Sequence, residues 1–175
     1  YVPNRIDNIS KKYLSQFLMD ERVIDEPLWL RTLLVKGIIL NTRPKKSARA
    51  YKKIWWDEGS PLIVLSNRLI NKVKKITSVP MALAMRYGNP SIKSGIEELV
   101  NKGIDEILLI PLYPQHAMAS TETILVLADQ IKNEFFPKIK FTNLPAFYNH
   151  SDYIRVLSNS VQDYLKDKEW EHLLF

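Results

Sequence analysis

Apolar positions recur along this chain in two rhythms. Every three or four residues they mark helices, and in short continuous runs they mark strands. Ile6, Ile9, Tyr13 and Phe17 predict an amphipathic helix over Pro3–Met19, with Pro3 in its first turn. Val64, Leu65, Leu69, Val73 and Ile76 predict a second, opened by Ser60-Pro61 as a hydroxyl cap followed by proline. Ile92, Ile96, Leu99 and Val100 predict a third over Ser91–Lys102, stopped by Gly103. A fourth is expected over Ser120–Phe135, capped by Ser120. A fifth starts at Asp152 and carries Ile154, Leu157, Val161 and Leu165. Between them lie runs of strand length: Val79–Met85, Ile107–Leu112, Ile139–Leu144 and, at the end, Glu171–Phe175. Runs without polar alternation suit parallel strands covered on both faces. Helices alternating with such runs predict an α/β fold, a parallel sheet with helices on both faces.

Pro27–Leu40 breaks the amphipathic rule. Leu28, Trp29, Leu30, Leu33, Leu34, Val35, Ile38, Ile39 and Leu40 cover nearly every side of a helix interrupted by Arg31 and Lys36. It is too short to span a bilayer, so it is either core or an exposed apolar patch that binds something. Asn41–Ser47 reads as a basic turn in which Pro44 fixes the chain, and Tyr51, Ile54 and Trp55 mark one face of a short helix after it. Two strand ends are followed by polar loops. Arg86-Tyr87-Gly88-Asn89-Pro90 closes the run at Met85, and Tyr113-Pro114-Gln115-His116 follows Pro111, where regular pairing should falter. Loops at the carboxyl ends of parallel strands are where open α/β sheets bind ligands.

Composition changes this picture little. The chain of 175 residues is 46% hydrophobic and 25% charged, an ordinary globular balance. It has no cysteine, which excludes disulfides and thiolate metal sites. Five glycines and no glycine-rich phosphate loop leave nucleotide cradling unsupported. A net charge of +6 invites an acidic partner. The Lys and Arg residues are scattered without a recognition motif, which speaks against a nucleic-acid module. His116 has no second ligand in sequence reach and is not assigned to a metal. Tyr1 is not a natural start and Phe175 stops inside a strand pattern, so the sequence reads as part of a longer chain.

Several stretches resemble the ferrochelatase family. PLYPQ at 111–115 and MRYGNP at 85–90 are the most specific, and FLMDERVID at 17–25 resembles a bacterial FLxDxRVID segment. Tyr51, Trp56 and Gly59-Ser60-Pro61 follow the family's spacing, and the resemblance covers essentially the whole chain. It departs at His116–Glu122, where the family's Tyr-Ser-x-Ser-Thr-Thr-Gly has lost two hydroxyls and a glycine.

The resemblance implies an enzyme that inserts Fe²⁺ into protoporphyrin, with iron as substrate and no tightly bound cofactor. It implies a first lobe over 1–147, lacking its first strand, and the start of a second over 148–175. It makes Arg43, Tyr51, Ser60, Arg86, Tyr87, Tyr113, Ser120 and Thr121 porphyrin-facing, and Leu28, Trp29, Leu33 and Leu34 a lip of the cleft or a peripheral membrane contact. The family's catalytic histidine, in Ser-x-His-Gly-[Leu/Ile]-Pro, is expected just after Phe175, so these 175 residues alone are expected to be inactive. The expected location is cytoplasmic. The alternatives are a non-catalytic tetrapyrrole carrier or a chelatase for cobalt or nickel, and more remotely a basic nucleic-acid binder.

Overall fold

The computed structural model describes residues 11–166. The start of the first expected helix, with Ile6 and Ile9, and the strand expected over Glu171–Phe175 lie outside the described residues. In chain order the elements are α1 (residues 11–18), α2 (Leu28–Thr32), a π-helical segment Leu33–Ile39 and α3 (Leu40–Ile54). They continue with α4 (Pro61–Val73), α5 (Ile92–Val100), β1 (Glu106–Leu109), a second π-helical segment Met118–Glu122, α6 (Thr123–Phe135), β2 (Lys140–Asn143) and α7 (Ser151–Leu165).

The α/β expectation holds. β1 and β2 pair in parallel, Glu106 opposite Lys140 and Leu109 opposite Asn143, with α6 as the crossover that parallel neighbours require. Ile107 of β1 is buried with Ile92, Ile96 and Leu99 of α5, Ala128 of α6 and Ile139. Each fully buried aliphatic side chain in this cluster contributes roughly 1.5–3 kcal/mol, so this is the core that holds α5 and α6 on the sheet. Coverage is one-sided among the described residues. Leu108 and Ile110, which alternate with the buried positions, are 52% and 51% exposed. A second cluster gathers Leu14 and Leu18 of α1 around the fully buried Val35.

Several local expectations are corrected. Val79–Met85 forms no strand. It runs extended, and only Met85 bridges, to Ser91. No residue of this apolar run is buried, a strand needs a partner ladder, and β2 is the only strand paired with β1 among the described residues. The segment instead packs on α5, where Gly95 leaves room: a Cβ there would stand 3.2 Å from that of Ala84. β1 ends at Leu109, before Pro111, as a missing donor requires.

Asn41–Ser47 is not a turn but the first half of α3, with Pro44 inside the helix. A helical proline leaves the carbonyl four residues back without its N–H partner and crowds it. Here that carbonyl belongs to Leu40, at the junction with the π-helical segment. Asn41 Nδ2 donates to the Gly37 carbonyl at 2.7 Å and the Thr42 hydroxyl to that of Ile38 at 3.0 Å. These side chains serve carbonyls in the disturbed turn, which is how a helix continues past such a site.

Caps also differ. Ser60 stands at the N-cap of α4 before Pro61, but its side chain makes no cap hydrogen bond. Ser120 lies within the second π-helical segment, its hydroxyl donating back to the Ala117 carbonyl at 3.4 Å. His150, not Asp152, caps α7: its Nδ1 accepts the Asp152 N–H at 3.3 Å. Ser91 caps α5, accepting the Ser94 N–H at 3.1 Å.

Candidate functional site

Three segments distant in sequence meet on one carboxylate. α1 ends at residue 18, and the following turn puts Asp20 against the loop after Met85 and against the first residue of α6. The Asp20 side chain is 4% exposed. Its Oδ2 accepts from the Arg86 guanidinium, from the Thr123 hydroxyl and from the Tyr87 hydroxyl at 3.0 Å. Its Oδ1 accepts the Arg22 N–H at 3.0 Å. Arg86 Nε completes the circuit by donating to Thr123 Oγ1 at 2.7 Å and to the Thr123 carbonyl at 3.0 Å. A buried charge is tolerated only when paired and hydrogen-bonded in this way.

The network holds an aromatic wall. The Arg86 guanidinium carbon lies 4.5 Å from the centre of the Tyr87 ring. That ring meets Phe17 and Tyr13 edge-on, with centroids 5.4 and 6.0 Å away. Tyr13 and Phe17, one helical turn apart on α1, stack at 5.7 Å.

These surroundings set the protonation states. Burial alone would raise the Asp20 pKa, but hydrogen bonds from Thr123, the Arg22 N–H and Tyr87, with the Arg86 charge, outweigh it and hold the carboxyl below its ordinary value. Burial pushes the Tyr87 phenol up, with Asp20 adding and Thr123 and Arg86 opposing. Burial also raises Tyr13, and Tyr51 and Tyr113 add to it.

The residues expected at the site fall into two groups. Arg86 and Tyr87 join the Asp20 network, with the Tyr87 ring edge-on to Tyr13, whereas Tyr51 is half-buried on α3 and Tyr113 is exposed beyond β1. Arg43 is exposed on α3, Ser60 is half-buried at the start of α4, and His116 is exposed. Thr121 is buried with its hydroxyl 3.5 Å from the Gln115 carbonyl. Of the loop's hydroxyls, Thr123 joins the network, and it was not anticipated. Nor was Asp20, although it lies within FLMDERVID: a carboxylate at the end of an apolar helix face was the available signal. Leu28, Trp29 and Leu33 are 64%, 70% and 60% exposed, so the patch reading of 28–40 holds for them, while Leu34 is half-buried and Val35 is core.

Arg86 is neutralised in place by Asp20, whereas Arg43 is exposed and can meet a ligand carboxylate two-pronged. No group of three His, Cys, Asp or Glu side chains among the described residues could hold a metal ion. No described helix is long and apolar enough to cross a membrane.

Comparison with known proteins places this geometry. The model of the family described as Ferrochelatase matches residues 2–175. "Ferrochelatase" of Ectopseudomonas mendocina (strain ymp) is 46% identical over 165 residues, 94% of this chain and 48% of the relative. The proteins of that name from Pseudomonas syringae pv. tomato and Pseudomonas fluorescens (strain SBW25) are 46% and 44% identical over the same shares. The chain spans about half the length of these curated relatives. A match over nearly every residue, taking in both polar loops and the Asp20 turn, assigns the chain to the ferrochelatase family.

Proposed function

We propose that this chain serves a lyase-type metal chelatase that inserts Fe²⁺ into protoporphyrin IX to form protohaem. The observation that carries the reading is the family match over residues 2–175. The reaction exchanges two pyrrole protons for the metal ion, so charge balances as Fe²⁺ enters and two H⁺ leave. In this reading residues 1–147 form the first lobe and 148–175 begin the second.

The work of the described residues is to hold the macrocycle. Tyr51 and Tyr113 offer aromatic faces and hydroxyls to a flat apolar ring, and Tyr87, its hydroxyl held by Asp20, offers ring surface. Arg43 pairs with a propionate, Ser60 and Ser120 supply hydroxyls, and Thr121, buried with its hydroxyl toward the Gln115 carbonyl, supports the loop. Leu28, Trp29, Leu33 and Leu34 form an apolar lip of the cleft or a peripheral membrane contact, a reading supported by the exposure of the first three. Asp20, kept ionised by the donors around it, is a poor acceptor for the pyrrole protons. The family's Ser-x-His-Gly motif is not among the 175 residues, so this stretch alone does not turn over.

The test is a protoporphyrin titration of the full-length protein followed by Soret absorbance with and without Fe²⁺. Binding and iron insertion are expected. Binding without insertion of iron but with insertion of cobalt or nickel would move the reading to another chelatase, and binding with no insertion to a carrier. No binding at all would overturn the tetrapyrrole reading. Arg43→Ala is expected to weaken protoporphyrin binding about fivefold, the scale of an exposed ion pair, and to leave binding of the dimethyl ester unchanged.

A further inference from the structure

The Asp20 network does more than neutralise a buried arginine. Its partners lie 66, 67 and 103 residues away in the chain. They belong to the two loops that carry candidate macrocycle-facing side chains: Arg86 and Tyr87 after residue 85, and the junction of Met118–Glu122 with α6. Arg22, two residues on, reaches the same junction a second time, its Nε 3.2 Å from Glu122 Oε1. One short turn thus grips both loops.

We infer that Asp20 is a positioning residue for porphyrin, fixing the Arg86–Tyr87 loop and the start of α6 in one mutual arrangement through a single carboxylate. This rests on the chelatase reading above. Asp20 is engaged on both oxygens by protein donors and is nearly inaccessible, so it acts through Tyr87 and its neighbours and not by touching substrate. The geometry demands a carboxylate. Oδ2 faces three donors and Oδ1 a fourth, so an amide at this position would point its NH₂ at a donor whichever way it turned. Asparagine would also leave the Arg86 guanidinium, whose side chain is 20% exposed, without its counter-charge. With the clamp loosened, the Tyr87 ring loses the hydroxyl bond that sets its angle against Tyr13 and Phe17.

The experiment uses the full-length protein with protoporphyrin IX and Fe²⁺ as probes. Wild-type protein is assayed first, so that absence of porphyrin binding there overturns the chelatase reading and this proposal with it. In a protein that turns over, Asp20→Asn is expected to raise KM for protoporphyrin on the order of 10- to 100-fold, the cost of misplaced binding groups. KM for Fe²⁺ should stay within twofold, and the bound-porphyrin Soret band should shift toward that of free porphyrin. Thr123→Val, which removes one donor to Asp20 and one acceptor for Arg86 Nε at nearly constant size and unchanged charge, should move the same quantities less. It carries the test if Asp20→Asn does not fold. A drop in kcat with both KM values unchanged, or equal increases in both, would overturn the positioning role. So would wild-type kinetics in a Thr123→Val protein whose Soret band is also unshifted.

Discussion

Asp20 also ties the fold to pH. Its folded-state pKa lies below the ordinary carboxylate value. A carboxyl shifted that way adds stability above its unfolded pKa, about 3.9. That stability is lost as pH falls from about 5 through the folded pKa. Urea unfolding between pH 7 and pH 3 should therefore show stability falling with acid, with a shallower fall in Asp20→Asn. At pH 7 that variant should be less stable by about 3 kcal/mol, because one partner of a buried pair is removed and the other is left uncompensated. An unchanged acid slope would mean that Asp20 is not the group responsible. The pairing itself was not legible in the sequence. MRYGNP and PLYPQ announced polar loops at the ends of apolar runs, but periodicity and capping are local signals, and which distant side chains converge on Asp20 is decided by packing. Tyr87 and Arg86 can be nominated from their loop; for Asp20 the sequence offers only a carboxylate at the end of an apolar helix face, without its partners.

At the scale of elements, the helical rhythm was read well and its interruptions badly. α5 buries Ile92, Ile96 and Leu99, as their spacing implied. Val79–Met85 has strand composition without a strand, because apolar character says nothing about whether a ladder partner stands alongside. Pro44 was taken to fix a turn, yet α3 continues through it with help from Asn41 and Thr42. That arrangement predicts the sign of a substitution. Pro44→Ala restores an N–H to face the Leu40 carbonyl and removes the ring clash, a gain of about 3 kcal/mol in an uncompensated helix. Against this, alanine loses the buried ring and stiffens the unfolded chain less. The expected net gain is about 1 kcal/mol in urea denaturation. Destabilisation by a similar amount would show that the ring's packing outweighs the hydrogen bond it forbids.

At the scale of the molecule, what stands out is how much apolar surface the described residues leave uncovered. Leu108 projects from the open face of β1, and Ile110, Leu112 and Tyr113 continue the exposure beyond it. Neither α4 nor α7 buries a single residue, although Leu62, Leu65 and Leu69 on one and Ile154 and Leu157 on the other mark apolar positions. Together with Leu28, Trp29 and Leu33 these exceed the scattered apolar residues normal on a soluble surface. Exposed apolar surface in excess of the ordinary favours association. A net charge of +6 opposes association through repulsion, but over distances beyond about 8 Å that repulsion is screened at physiological salt. Contact between apolar faces is not screened, so association should strengthen as salt rises. Residues 1–175 prepared alone are therefore expected to self-associate at micromolar concentration in sedimentation velocity, more so at 0.5 M than at 0.05 M NaCl as chosen test conditions, and to enhance the fluorescence of an apolar dye. Leu108→Lys places a charge on the open face of β1 without touching the cluster around Ile107, and it should reduce both signals with little loss of stability. A chain that stays monomeric at both salt concentrations and leaves the dye dark would show that these faces do not drive association. If association persists but weakens as salt is added, charge and not apolar contact would be its source.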